Sequence, residues 1–250
     1  DAWLRQAARA HTLVYTVGYP QHSDMFGFSL NPAQREMRER LERVFAKVED
    51  FRLELAKLRA IKQPQEIAMI QSAVDLTVHA FSDVYSRLSS MKSEYEVDAE
   101  FTALFRRKNA SHAYDPIVAA GINACTLHYV DNSAALKKGQ TLLIDIGAKV
   151  NGYAADITRS YAIGARTNRQ KQIHAALADA ERQIIALLEP GLPIDEYYDQ
   201  VDRIMQQALI DLGLIKDSGD ADYRTYFPHA ISHGLGIDVH DALGRPRVFQ

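Results

Sequence analysis

Thr141 to Ser160 reads TLLIDIGAKVNGYAADITRS, and two apolar-rich strands are expected in it, about Leu142 to Ile146 and Tyr153 to Tyr161. They meet at Asn151-Gly152, the strongest two-residue hairpin signal, because both turn positions need positive φ. With those two residues as the loop, Asp156 falls opposite Gly147, and Asp145 lies two residues from Gly147 on its own strand. Side chains alternate across a strand, so Asp145 and Asp156 are expected on one face as a diagonal pair, about 7–8 Å apart at Cα. Like charges that close raise one another's pKa unless a proton or cation lies between them. A pair of divalent ions bridged by carboxylates would relieve the repulsion. A hairpin with one polar face in water would satisfy the same pattern.

The 250 residues are 47% hydrophobic and 24% charged, which suits a globular chain and argues against disorder or coiled coil. A net charge of -3 with mixed signs offers no footprint for nucleic acid. The basic run Arg106-Arg107-Lys108 falls at a helix end, where it complements the dipole. No apolar run reaches membrane-span length, and DAWLRQAARAH at the start lacks the apolar core of a signal peptide. With Cys125 as its one cysteine the chain forms no internal disulfide; a cytoplasmic setting and a buried, inert thiol are expected, despite His128 three residues on.

Residues 1–50 read as the tail of an N-terminal domain or a linker, with a strand at Thr12 to Val17 and a helix over Ala33 to Val48. From residue 51 the main body begins with a strand-like FRLELAKLRAI, then a helix opened by Pro64. Its stripe Ile67, Ile70, Val74, Val78, Phe81 and Val84 is expected to face the core. Ser93 to Glu96 and Thr167 to Gln170 read as capping boxes for two further helices. Ser111 to Val130 looks like two strands around a glycine turn, and a last helix over Ile194 to Leu212 ends at Gly213. This order implies an α+β fold, helices stacked on one side of a curved antiparallel sheet.

Residues 227–241, FPHAISHGLGIDVHD, hold three of the nine histidines, His229, His233 and His240, among glycines that let backbone approach a ligand. Neutral imidazole is a common ligand for catalytic divalent metals, and spare histidines shuttle protons or stabilise an oxyanion. His128, just before the hairpin, could serve likewise.

Three motifs together, NACTLH at 123–128, IDIGAKVNGYAADITRSY at 144–161 and HAISHGLGIDVHD at 229–241, strongly resemble the pita-bread metallopeptidases. Within them the likeness is to the proline-specific branch, Xaa-Pro aminopeptidase (aminopeptidase P) and Xaa-Pro dipeptidase (prolidase). The resemblance implies the pita-bread (creatinase/aminopeptidase) fold and a centre of two divalent metal ions, Mn(2+) foremost, with Co(2+) or Zn(2+) as alternatives. It implies Asp145, Asp156 and His233 as metal ligands. It places His128, His240 and His229 as catalytic histidines and Tyr114 in the substrate pocket.

The implied reaction is hydrolysis of the Xaa-Pro bond at a peptide N-terminus by a metal-bridging hydroxide. The partners implied are a proline-containing peptide and, for a full-length form, other copies in a dimer or tetramer, with no nucleic acid and no membrane. Ser232 before His233 looks closer to aminopeptidase P, since prolidases more often carry Gly there. Alternatives are a prolidase, a methionine aminopeptidase or a non-catalytic pita-bread binding module. The family's two remaining glutamate ligands lie beyond the last histidine, so residues 51–250 are expected to be a catalytic domain lacking its C-terminal strands. Alone, this chain is expected to be inactive.

Overall fold

The computed structural model describes residues 2–17, 32–229, 231–241 and 249. They fall into two compact units, one ending at Ala60 and the other beginning at Ile61.

In the first unit, α1 (Ala2–Ala10) precedes β1 (Leu13–Thr16), and α2 (Pro32–Glu42) leads to β2 (Lys47–Asp50), which pairs with β1 in parallel. The helix expected over Ala33 to Val48 therefore stops at Glu42. Leu41 and Phe45 are buried, and Leu41's carbonyl accepts the Val44 and Phe45 amides as the chain turns into the strand. FRLELAKLRAI, expected as a strand, is instead helix α3 (Arg52–Ala60). Its alternation misled: Leu, Glu, Ala, Lys and Arg are helix formers, and no β-branched residue precedes Ile61. Asp50 receives the Arg52 amide at 2.9 Å as the helix starts.

The second unit opens with α4 (Pro64–Arg87) and α5 (Glu94–Arg107). The core side of α4 is Ala73, Thr77, Ala80, Phe81 and Val84, whereas Ile67 and Val78, expected inward, are exposed. Small residues set this face, because they bring the helix close enough for Thr77 Oγ1 to accept the Ala148 amide at 3.0 Å. The expected Ser93 box does not form: Glu96 takes the Lys92 amide instead.

After β3 (Ser111–His112) and β4 (Ile117–Ala120), a tight turn over Gly121–Cys125 replaces the second expected strand. The hairpin follows as β5 (Thr141–Ile146), β6 (Ala148–Val150), β7 (Tyr153–Ala154) and β8 (Ile157–Ala162). Two antiparallel ladders result, β4-β5-β8 and β3-β6-β7, in the register set by the Asn151-Gly152 turn: Val150 pairs with Tyr153 and Asp145 with Thr158. Asn151 and Gly152 both have positive φ, as that turn requires.

Phe81, Val97, Phe101 and Phe105 from α4 and α5 join Val118, Leu142, Ile144 and Ile146 from the strands in one core cluster. A second cluster gathers Ala180 and Ile184 of α6 (Asn168–Ala186) with Tyr197, Val201, Met205 and Leu209 of α7 (Ile194–Asp211), ahead of the short α8 (Tyr223–Tyr226). The Thr167–Gln170 capping box forms, and Gly213 follows α7 at φ 66°. Among the described residues no helix is long and apolar enough to cross a membrane.

Candidate metal centre

Asp145 is the next-to-last residue of β5 and Asp156 immediately precedes β8, so the hairpin register brings both carboxylates to one face. The Tyr114 hydroxyl reaches both, 2.6 Å from Asp145 Oδ1 and 3.0 Å from Asp156 Oδ1. One phenolic proton serves one carboxylate at a time, so the pair remains short of positive charge. Thr158, opposite Asp145 in the ladder, adds a hydroxyl bond to Asp145. Gly147 makes room: a side-chain carbon there would strike the Ala155 carbonyl and come within 3.1 Å of the Tyr114 ring.

The second half of the centre is the histidine loop. Ser232 holds a left-handed φ of 67°, and its hydroxyl pairs at 2.7 Å with that of buried Tyr197. A Gly would adopt this φ at no steric cost; here a Ser adopts it with a hydrogen bond across to α7. The loop closes where the Asp241 amide donates to Gly234 at 2.8 Å, and Gly236 accepts the Ala154 amide at 2.8 Å beside the hairpin. His233 Nε2 then lies 3.1 Å from Asp156 Oδ2, and the His233 and His240 rings sit 4.2 Å apart between centroids. One ligand atom each from Asp156, His233 and His240 lies within 4.8 Å of the others.

Burial pushes the Asp145 carboxyl above its ordinary pKa, and the Asp156 charge adds to this against the Tyr114 and Thr158 hydrogen bonds. Burial acts on Asp156 in the same sense, but hydrogen bonds from His233 and Tyr114 and the charges of His233 and His240 outweigh it, holding that group low. The Asp156 hydrogen bond raises His233 despite burial.

His233 Nδ1 is 2.9 Å from the Gly234 carbonyl, a contact that makes Nδ1 the N–H donor. Nε2 of the neutral ring is then a lone pair facing a carboxylate oxygen. Such a contact needs an added proton or a cation. Two neighbouring carboxylates and an imidazole oriented in this way form a donor set suited to a divalent metal.

Tyr114, Asp145, Asp156, His233 and His240 are thus brought together. His128 lies exposed after the Gly121–Cys125 turn at φ 53°, and His229 is exposed after α8; neither belongs to the Asp156–His233–His240 cluster. Cys125, expected to be buried, is exposed; its turn packs no side chain of its own into the core.

Two supporting residues escaped the reading of the sequence. Thr158 was within reach of it, since the register that pairs the aspartates also sets Thr158 beside Asp145. Glu94 was not: it is fully buried and accepts from Ala120 N, Asn123 Nδ2, Tyr129 Oη and Ala134 N at 2.7–3.0 Å, fastening the loop that carries His128 to the start of α5.

The model of metallopeptidase family M24 matches residues 68–250. The chain belongs to that family. Among M24 relatives, the Xaa-Pro aminopeptidase of Haemophilus influenzae is 36% identical over 206 residues, 79% of this chain and 47% of its own length. Aminopeptidase P from E. coli, in its low-pH form, superposes with a TM-score of 0.78 at 31% identity, covering 96% of this chain and 57% of that one. The zinc-substituted E. coli enzyme in complex with product gives 0.74 at 30% identity, with the same coverage. This M24 chain has the pita-bread fold of those structures and spans about half the length of the curated relatives it matches.

Proposed function

We propose that the protein to which this M24 chain belongs is a metal-dependent Xaa-Pro aminopeptidase, acting on peptides whose second residue is proline. The observation that carries this is the pairing of Asp145 and Asp156 under one tyrosine hydroxyl with His233 Nε2 3.1 Å from Asp156 Oδ2. Asp145, Asp156 and His233 would hold two divalent ions, Mn(2+) first, with Co(2+) and Zn(2+) as alternatives. Bound there, such ions supply an acidified water and an electrophile for the scissile carbonyl.

The protein groups do the rest. Tyr114 keeps a proton at the edge of the carboxylate pair. His240, and His128 from its exposed loop, donate to negative charge developing on the carbonyl oxygen, and His229 lines the approach. Ser232 supports the aminopeptidase over the prolidase reading, because its hydroxyl is used to hold the segment leading into His233. The catalytic domain, expected from residue 51, is taken as the unit that begins at Ile61, in a cytoplasmic protein that assembles as a dimer or tetramer.

The test is manganese uptake and hydrolysis of Xaa-Pro-Xaa, Xaa-Pro and Met-Ala peptides, measured on this chain and on a form extended at both ends, with Asp156→Asn as control. Cleavage of the proline tripeptide by the metal-loaded extended form, absent in the control, supports the reading. Preference for the Xaa-Pro dipeptide favours prolidase, and preference for Met-Ala removes the proline assignment. A folded extended form that takes up no metal and cleaves nothing is a binding module.

A further inference from the structure

A buried ion pair lies beneath the histidine loop, outside the cluster already described. Lys62 Nζ, just ahead of α4, is 3.2 Å from Asp241 Oδ2, and the two side chains are 15% and 2% exposed. Asp241 directly follows His240, and its amide closes the loop on Gly234. The loop turns tightly enough that a side-chain carbon on Gly236 would overlap the Asp241 carboxylate and reach within 3.1 Å of Lys62 Cε. Gly236 in turn accepts the Ala154 amide, two residues before Asp156.

We infer that Lys62 is a positioning residue for the centre: through Asp241 it holds His240 and His233 over Asp156. The inference rests on the reading of that cluster as the metal site. Its physical basis is separate. Removing one partner of a buried ion pair is strongly destabilising, because the remaining charge keeps its desolvation cost and loses its counter-charge. Without the Lys62 ammonium, the Asp241 carboxylate is therefore drawn towards water. His240 is attached to it, and the bridge from Asp241 to Gly234 is the hydrogen bond that closes the loop next to His233. Gly236 is the second requirement, since any larger residue displaces the carboxylate from the cation.

The experiment compares the 250-residue chain with Lys62→Met, Lys62→Arg and Gly236→Ala. Two quantities are read: the nuclear Overhauser contact between the His233 and His240 rings in the metal-free protein, and the affinity for Mn(2+) alone by calorimetry. Lys62→Met and Gly236→Ala are expected to lose the ring contact and to bind manganese about 10- to 100-fold more weakly, the range for residues that orient metal ligands. Lys62→Arg is expected to restore both. If the folded Lys62→Met and Gly236→Ala proteins keep the ring contact and bind manganese as the parent does, the inference is overturned. Should one of the two fail to fold, the other decides. If the parent takes up no manganese while the variants still lose the ring contact, the positioning role stands on the ring contact and the metal reading is decided on the form extended at both ends.

Discussion

Gly147 lies against the backbone of Ala155 so closely that no side chain fits between them. The contact falls where the hairpin ladder is interrupted between β5 and β6, and it sets the crossing that presents Asp156 beside Asp145. Gly147→Ala should therefore cost about 3 kcal/mol, the upper part of the range for an overpacked site. A lower denaturant midpoint at unchanged m-value would show it. Manganese affinity should fall in the same variant, because Ala155 must move and Asp156 follows it.

Tyr114 is expected to matter most when the centre is empty. Burial first, then the two carboxylates, drives its phenol well above the ordinary value, so the hydroxyl remains a donor throughout the working pH range. Tyr114→Phe should destabilise the metal-free chain by about 1–3 kcal/mol, the cost of leaving buried acceptors without their donor. Thermal unfolding with and without Mn(2+) should show a smaller loss in the metal-loaded protein. An equal loss in both would mean that the hydroxyl acts through packing.

Protons and metal compete at His233. Its folded pKa is raised above 6.5 by Asp156, so that contribution to stability is complete below 6.5 and fades as pH rises through the folded value. Asp156 is held below 3.8, so its contribution is complete above 3.8 and fades as pH falls through its folded value. Asp156→Asn should then be most destabilising between those two ordinary values and progressively less so in alkali. Metal needs the neutral imidazole, so manganese affinity should rise with pH through the raised His233 pKa, with proton release detectable by calorimetry in buffers of different ionisation enthalpy.

Glu94 offers a test remote from the carboxylate pair. Burial would raise its pKa, but the amides of Ala120 and Ala134 with Asn123 and Tyr129 outweigh it and hold the group low. Glu94→Gln turns one acceptor into a donor facing donors and should cost about 3 kcal/mol. The folded pKa lies below 4.5, so the difference from the parent should be complete above 4.5 and narrow as pH falls through the folded value. Urea unfolding over a range of acid pH would follow it.

What could be read from the chain depended on the distance over which each feature is determined. A two-residue turn sets the parity of both strands, and the same register holds on either side of the break at Gly147, so the convergence of Asp145 and Asp156 followed from residues eleven apart. The shape of the histidine loop depends on Lys62, 179 residues before Asp241, and no local pattern announces that pairing. The buried side of α4 was read correctly at Phe81 and Val84 and misjudged at Ile67 and Val78 for a related reason. The sheet it meets favours Ala73, Thr77 and Ala80 at close approach, while bulkier Ile67 and Val78 stay outside. Glu94 reads as an ordinary first-turn acid until the amides of a loop forty residues away are set around it.

The exposure of Cys125 has a practical side. It is the chain's single thiol, three residues from His128 and open to solvent. A maleimide spin label can be attached there without any engineered substitution, and a paramagnetic ion at the carboxylate pair would shorten the label's relaxation the more steeply the closer the two lie. The chain thus carries its own molecular ruler, able to report whether the His128 loop draws towards the centre when a peptide arrives.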